Sequence, residues 1–217
     1  MKLMSVNVSL PLEAQHGDKS IKTGIFKKPV SGPVRVEKSN LEGDGQADLD
    51  NHGGEHKAVY AYSLDHYPYW RGVLNREAMP FGQFGENLTV AGLDESESCI
   101  GDRIQIGNAL FAITQPRVPC FKLGIRLGDE KMPKLFSQSA RTGFYLKVLR
   151  EGVVETGDAV DVVERGYGGV AIKPLFEAYM GRVGKDASRT LTRALEVPDL
   201  SPEWRAQIIK RLERAEK

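Results

Sequence analysis

A mainly β protein with added helices is the fold class this sequence predicts, and three observations predict it. First, residues 1 to about 165 break into short runs where Val, Ile, Leu and aromatic residues alternate with polar ones, punctuated by Gly, Asn and Asp. A period of two is the strand signal, and many short strands at turn spacing point to a barrel or sandwich rather than to βαβ units. Second, Ile100-Gly101-Asp102-Arg103-Ile104-Gln105-Ile106 and Thr156-Gly157-Asp158-Ala159-Val160-Asp161-Val162 repeat one design, a Gly-Asp turn followed by an alternating strand. Third, the composition changes at Gly166-Tyr167-Gly168-Gly169, after which helix formers replace the turn-rich strands. The 217 residues are therefore expected to form a β unit with inserted helices over 1–166 and a helical unit over 167–217.

The elements follow in chain order. Met4 to Leu10 alternates Val6 and Val8 with polar neighbours, and Gly32 to Glu37 alternates Val34 and Val36. Ala58 to Tyr62 is an aromatic, β-branched run, and Asn87 to Val90 is another strand. Between them, Leu64, Tyr67, Trp70 and Leu74 stand at helical spacing behind Ser63, a good N-cap, although Pro68 interrupts the pattern. Asn108-Ala109 closes the first Gly-Asp strand into a hairpin with Leu110 to Thr114. Two short helices are expected at Phe121 to Leu127 and Pro133 to Ala140, and a strand at Phe144 to Leu149. In the tail, Leu175 with Tyr179, Leu191 with Leu195, and Trp204 with Ile208 and Leu212 give three apolar stripes. Ser201-Pro202 starts the last helix, with an N-cap Ser and Pro in the first turn. About fifty residues seldom hold a fold alone, so these stripes are read as contacts with the β unit.

Composition narrows the function classes. Lys and Arg total 30 against 29 Asp and Glu, for a formal net charge of +1. That balance argues against binding a nucleic acid polymer or an anionic membrane, yet it leaves room for a small cationic cavity. Two cysteines do not make a disulfide scaffold. The start lacks a signal-peptide core, and no apolar run approaches the roughly 18 residues of a spanning helix, so a cytoplasmic protein is expected. There is no Walker A string, no G-x-S-x-G elbow and no paired C-x-x-C, and Gly166-x-Gly168-Gly169 is not a dinucleotide fingerprint.

Three segments carry candidate chemistry. In Gln115-Pro116-Arg117-Val118-Pro119-Cys120-Phe121-Lys122, two prolines stiffen the chain around Arg117, and Cys120 falls where a strand ends and a helix begins. Nearby cations and a helix start favour a thiolate, which is both a nucleophile and a soft metal ligand. Cys99, among Asp94, Glu95 and Glu97, is read as a bystander. The second segment is Asp48-Leu49-Asp50-Asn51-His52-Gly53-Gly54-Glu55-His56-Lys57. Its H-x-x-E-H string matches an inverted zinc-protease motif, but that motif needs a helix and Gly53-Gly54 is a poor helix interior. A turn holding His52 and Lys57 at a strand's mouth fits better. The third is basic: residues 19–38 hold six Lys or Arg and one acid, with Lys22-Thr23-Gly24 and Lys27-Lys28 able to face an anion. Arg141-Thr142-Gly143 is a further candidate. These residues describe a β-rich protein with one activated Cys among cations, suited to an anionic cofactor.

The same strings carry a family resemblance. The run from Asp48 through Tyr62 resembles the signature of MOSC domains, named for the molybdenum cofactor sulfurase C-terminal domain. Phe84-Gly85-Glu86-Asn87-Leu88, Ile100-Gly101-Asp102 and Gln115-Pro116-Arg117-x-Pro119-Cys120 resemble later strings of that family, the last ending in the family cysteine. Lys22-Thr23 with Lys28-Pro29-Val30, and the last fifty residues, are similar to the YiiM branch, the 6-N-hydroxylaminopurine resistance proteins. The resemblance covers essentially the whole chain, in order.

The resemblance implies a MOSC-type β-barrel with helical insertions and a C-terminal three-helix extension around a basic cavity. It implies a bound molybdenum cofactor (Mo-molybdopterin), no need for pyridoxal phosphate, and reduction of N-hydroxylated base analogues, such as 6-N-hydroxylaminopurine to adenine. Cys120 maps onto the family cysteine that ligates molybdenum. Lys22, Lys57, Arg117 and Arg141 are nominated to hold the cofactor's phosphate, Thr23 to bind the cofactor beside Lys22, Asn87 to hydrogen-bond the pterin or the metal's oxo group, and His52 to relay a proton. Glu55-His56 departs from the family string, so His56 receives no role. With no flavin or NAD motif, a separate flavoprotein or other reductase would supply electrons. Two rivals are a non-catalytic carrier of molybdenum cofactor or sulfur, and a thiol enzyme without metal.

Overall fold

The computed structural model describes residues 1–47, 53–182 and 186–215. It is a mixed α and β structure built on one large sheet. The strands are β1 (Lys2–Val8), β2 (Leu12–His16), β3 (Lys19–Thr23), β4 (Lys28–Val30), β5 (Val34–Val36), β6 (Val59–Ser63), β7 (Leu88–Ala91), β8 (Arg103–Ile106), β9 (Ala109–Pro116), β10 (Phe144–Arg150), β11 (Gly152–Val154) and β12 (Val160–Glu164). Eight of them pair in the order β12-β8-β9-β10-β6-β7-β1-β4, while β2 with β3 and β5 with β11 make two small side ribbons.

The ends of this sheet meet. Lys2 bridges Ala159 in antiparallel fashion. Leu3 N–H donates to Asp158 O at 2.9 Å, Gly157 N–H to Leu3 O at 2.8 Å, and Val160 N–H to Met1 O at 3.0 Å. One edge of β1 pairs with β7, and the other is shared between residues 157–160 and β4. The sheet is thereby joined into a ring through residues 157–160, with β4 left as a short outer strand beside β1. The two Gly-Asp strings prove to be neighbours in that ring, with Val160 opposite Ile106 and Val162 opposite Ile104.

All strand pairs of the large sheet are antiparallel except β6 with β7. A parallel pair needs a crossover, and residues 64–87 supply it. The crossover contains a 3-10 turn over Leu64–His66, whose N-cap Ser63 accepts from Asp65 N–H, and then α1 (Tyr67–Val73). Pro68 sits in the first turn of α1, where no intrahelical donor is needed, so it starts the helix rather than breaking it. The other helices are α2 (Phe121–Leu127), α3 (Met132–Ser139), α4 (Ile172–Tyr179), α5 (Asp186–Leu195) and α6 (Pro202–Ala215). Ser201 Oγ accepts from Trp204 N–H at the start of α6. Among the described residues, no helix is long and apolar enough to cross a membrane.

Two apolar clusters hold the chain. In the first, the inner face of the ring, with Val6, Val59, Ala61, Phe111, Ile113 and Phe144, is continuous with Leu175, Leu191, Trp204 and Ile208 of the tail helices. In the second, Tyr60 and Tyr62, on the opposite face of β6, pack with Tyr67, Trp70, Phe84, Leu123, Met132 and Phe136. Alternation along β6 thus feeds both clusters from one strand. The aromatic cluster fixes α1, α2 and α3 beside the strand ends where the candidate site lies.

Gly143 joins these parts at a tight crossing. Its φ is +62°, and an added Cβ would lie 2.3 Å from Ala61 O and 3.0 Å from the rings of Tyr60 and Tyr62. Its N–H donates to Glu95 Oε1 at 2.9 Å, and its carbonyl accepts from Arg117 N–H at 3.3 Å. Gly143→Ala should cost about 2–4 kcal/mol of stability, because backbone cannot yield as a side chain does. Urea titration checks this; a loss below about 1 kcal/mol would contradict the crowding argument.

Candidate functional site

The local structure of the site begins with Glu86. This fully buried carboxylate accepts from Gly82 N–H at 2.9 Å, Phe84 N–H at 3.0 Å and Thr89 Oγ1 at 2.9 Å, and from the Tyr67 hydroxyl. One side chain thus organises the loop 82–87, in which Gly85 takes a φ of +78°. Tyr67 is pushed up strongly, first by burial and then by the adjacent Glu86 charge, so it remains a donor.

Asn87 comes next, with both ends of its amide engaged. Its Oδ1 accepts from Tyr60 N–H at 3.0 Å, and its Nδ2 donates to Asp44 Oδ2 at 2.9 Å and Asn7 O at 3.3 Å. Asp44 receives Lys27 Nζ at 2.5 and 2.6 Å on its two oxygens, and Ser9 N–H at 2.9 Å. Lys27 and Asp44 are each 7% exposed. Burial pulls the Lys27 pKa below its usual value, with Asp44 opposing the fall.

Arg117 is buried where β9 ends. Its Nη1 donates to Phe84 O at 2.8 Å and to the Tyr60 hydroxyl at 3.3 Å, and its guanidinium lies over the rings of Tyr60 and Phe136. Among the described residues, no carboxylate stands within ion-pair reach of it. Burial opposes its charge, but the polar groups of Tyr60, Tyr145 and Cys120 outweigh that, so the guanidinium stays protonated. Tyr60 donates to Thr142 O at 2.7 Å and packs 5.3 Å, centroid to centroid, from Tyr145. Burial pushes the pKa of both tyrosines up.

These residues open onto a cleft, which Cys120, Lys57 and Lys122 also line. Cys120 is half-buried and is the N-cap residue of α2, as the sequence predicts. Lys57 follows a turn in which Gly54 takes a φ of +90°, and its Nζ pairs with Glu203 of α6. Across the cleft, Gly24 and Gly45 approach so closely that a Cβ on Gly24 would stand 2.5 Å from Gly45 O. Only glycine permits this backbone contact, and both glycines line the cleft.

Of the residues nominated from the sequence, the cleft brings together Cys120, Arg117, Lys57, Thr23 and Asn87. Two are not among its lining residues. Lys22 is exposed on β3 opposite Glu13, and the Arg141 guanidinium lies 4.1 Å from the Tyr69 ring centroid. Asn87 lines the cleft, but as a bracket between Tyr60 and Asp44. His52 lies outside the described residues. Cys99 forms no disulfide, and burial, then Asp102, raises its thiol pKa, which suits an inert group. Asp44, Tyr60 and Tyr145 carry no site signal in the sequence; Lys27 is read there with Lys28 as able to face an anion, and the structure pairs it with Asp44. Among the described residues, no group of three His, Cys, Asp or Glu is set to hold a metal ion.

Comparison with known proteins places this architecture. The profile of the MOSC domain matches residues 48–161. The chain is 40% identical to the uncharacterized protein YflK of Bacillus subtilis, over 98% of this chain and 95% of that one. It is 35% identical over 68% of its length to a protein named Reductase from Gibberella moniliformis, of which the match spans 27%. Its structure resembles the crystal structure of YiiM from Geobacillus stearothermophilus, with a TM-score of 0.81, 35% identity, and coverage of 97% of this chain and 98% of the other.

Proposed function

The chain belongs to the MOSC domain family, in its YiiM-type branch, and from that membership and the cleft's chemistry we propose a molybdenum-cofactor-dependent reductase of N-hydroxylated substrates. The example substrate is 6-N-hydroxylaminopurine, which would become adenine. The observation that carries this reading is that Cys120 and the buried Arg117 line one cleft. A buried cation with no carboxylate partner among the described residues calls for an anion, and a thiolate is a soft metal ligand. A metallated pterin with a phosphate answers both. Since the described residues offer no multidentate cluster, the metal would have to bring further ligands with it, as the dithiolene pterin does.

Arg117 would grip the phosphate, with Lys57 and Lys122 adding positive charge at the rim. Thr23 and the close Gly24–Gly45 backbone would seat the flat ring system. Cys120 would supply the protein's thiolate ligand. His52 is proposed as the proton relay, since an imidazole titrates near neutrality. When bound, the cofactor supplies a two-electron reduction, in which N–OH plus two protons and two electrons gives N–H and water. The electrons would come from a separate flavoprotein or other reductase.

The test is the metal and pterin content of protein made in a cofactor-competent cell, followed by an assay with reduced dye and 6-N-hydroxylaminopurine. One molybdenum per chain is expected. Cys120→Ser should lose roughly 100-fold or more in metal retention and activity, since even supporting residues of metal sites cost 10- to 100-fold. Absence of molybdenum in the wild type, or full activity in Cys120→Ser, would overturn the reading.

A further inference from the structure

Cys120, Lys57 and Tyr145 line two spaces, not one. Beside the cationic cleft, a second chamber lies between the barrel mouth and the tail helices. Its character is different. The walls from α4 and α6 bring Tyr179, Trp204, Glu203 and Gln207, and the barrel brings Gln115 from β9.

The polar atoms of the tail wall are tied into a chain. The Tyr179 hydroxyl donates to Gln207 Oε1 at 2.9 Å, Gln207 Nε2 donates to Glu203 Oε1 at 3.1 Å, and Glu203 pairs with Lys57 beside Cys120. Tyr179 also packs on Trp204 with centroids 4.7 Å apart. This wall is therefore pre-ordered, aromatic and already satisfied. Gln115 is the exception. It is 3% exposed, and its Oε1 has no hydrogen-bond partner. An unpaired buried acceptor costs free energy unless a ligand supplies a donor.

We propose that this second chamber is the substrate site. It takes a planar aromatic heterocycle bearing an amino or hydroxylamino group. The ring lies against the Tyr145, Tyr179 and Trp204 surfaces, and a ligand N–H donates to Gln115 Oε1. Anion recognition and substrate recognition thus fall in two spaces that share Cys120, and the tail helices act in specificity as well as in packing. The assignment rests on the reductase reading for its chemistry, but its binding test does not depend on it.

The experiment is titration of adenine, and of 9-methylpurine, which carries no N–H, into protein with and without cofactor. The wild type should bind adenine at least about tenfold more tightly than 9-methylpurine, in both forms. Gln115→Leu should erase that preference while leaving molybdenum and pterin content unchanged, and Gln115→Glu, which keeps the acceptor, should retain it. Tyr179→Ala, on the tail side, should weaken both ligands alike. Equal adenine affinity in Gln115→Leu and wild type overturns the proposal. So does loss of pterin from Gln115→Leu, which would assign Gln115 to the first cleft. A protein that lacks molybdenum but binds adenine in this pattern refutes the reductase reading alone. One that holds molybdenum but binds no adenine refutes this proposal alone.

Discussion

Arg117→Met should empty the cleft of its cofactor while leaving the cofactor-free fold about as stable as before. A hydrogen bond from a charged donor contributes about 1.5–3 kcal/mol, and a guanidinium can give two to one phosphate. Losing them predicts a fall of roughly 100- to 10,000-fold in cofactor affinity. Stability should respond differently. The variant loses the bond to Phe84 O and the packing over Tyr60 and Phe136, but it also removes a buried charge that has no carboxylate partner among the described residues. Those effects offset each other, so the net change should stay within about 1 kcal/mol. Arg117→Lys keeps the charge without the fork and should fall between the two. Pterin and molybdenum occupancy, read alongside urea unfolding of cofactor-free protein, checks both halves. Unchanged occupancy would remove Arg117 from the site. A stability loss above about 3 kcal/mol would make it a structural residue instead.

That contrast also explains what the sequence discloses. Arg117 and Cys120 were legible because they belong to one short string whose prolines and strand end are local signals. Lys27 was legible only as one cation of a basic stretch and Asp44 not at all, since no local signal announces that the pair joins two loops. Tyr60 and Tyr145 read as ordinary strand aromatics, and only the pairing of β6 with β10, which sets them opposite each other, reveals a shared wall. Lys22 and Thr23 were nominated together, although adjacent strand residues point to opposite faces; Thr23 turns in and Lys22 turns out. Arg141 is taken by the face of Tyr69, a contact that sequence spacing does not announce. Asn87 was found by its motif, but its bonds to Tyr60 and Asp44 show it shaping the wall.

The fold divides the same way. Period-two strands, the Gly-Asp turns and the capped tail helices are local and could be read. The ring closure rests on Leu3 meeting Gly157 and Asp158, near opposite ends of the barrel's chain, and no local pattern encodes it. Likewise, the tail's contribution to the second chamber needs Glu203 to reach Lys57.

Asp44→Ala should have the largest effect on stability, about 3–5 kcal/mol at neutral pH, because it leaves the buried Lys27 ammonium without its partner. It also takes the acceptor from Ser9 N–H and one acceptor from the Asn87 amide. The deficit should depend on pH, and its sign follows from Lys27. Burial already holds the folded pKa of Lys27 below 10.5, and Asp44 is the main force opposing that fall. Without Asp44 the folded pKa drops further. Between that value and 10.5, the unfolded chain binds more protons than the folded one, so stability rises with pH. The variant should therefore sit furthest below wild type near pH 7 and recover as the pH approaches 10. Urea unfolding across that range tests it; a deficit under about 1 kcal/mol, or one that ignores pH, would refute the argument. Lys27→Met combined with Asp44→Leu should regain much of the loss, since an apolar pair can replace a buried ion pair at little cost. If that double variant folds well yet cannot retain cofactor, the ion pair serves the chemistry of the cleft, because packing alone would not have required it.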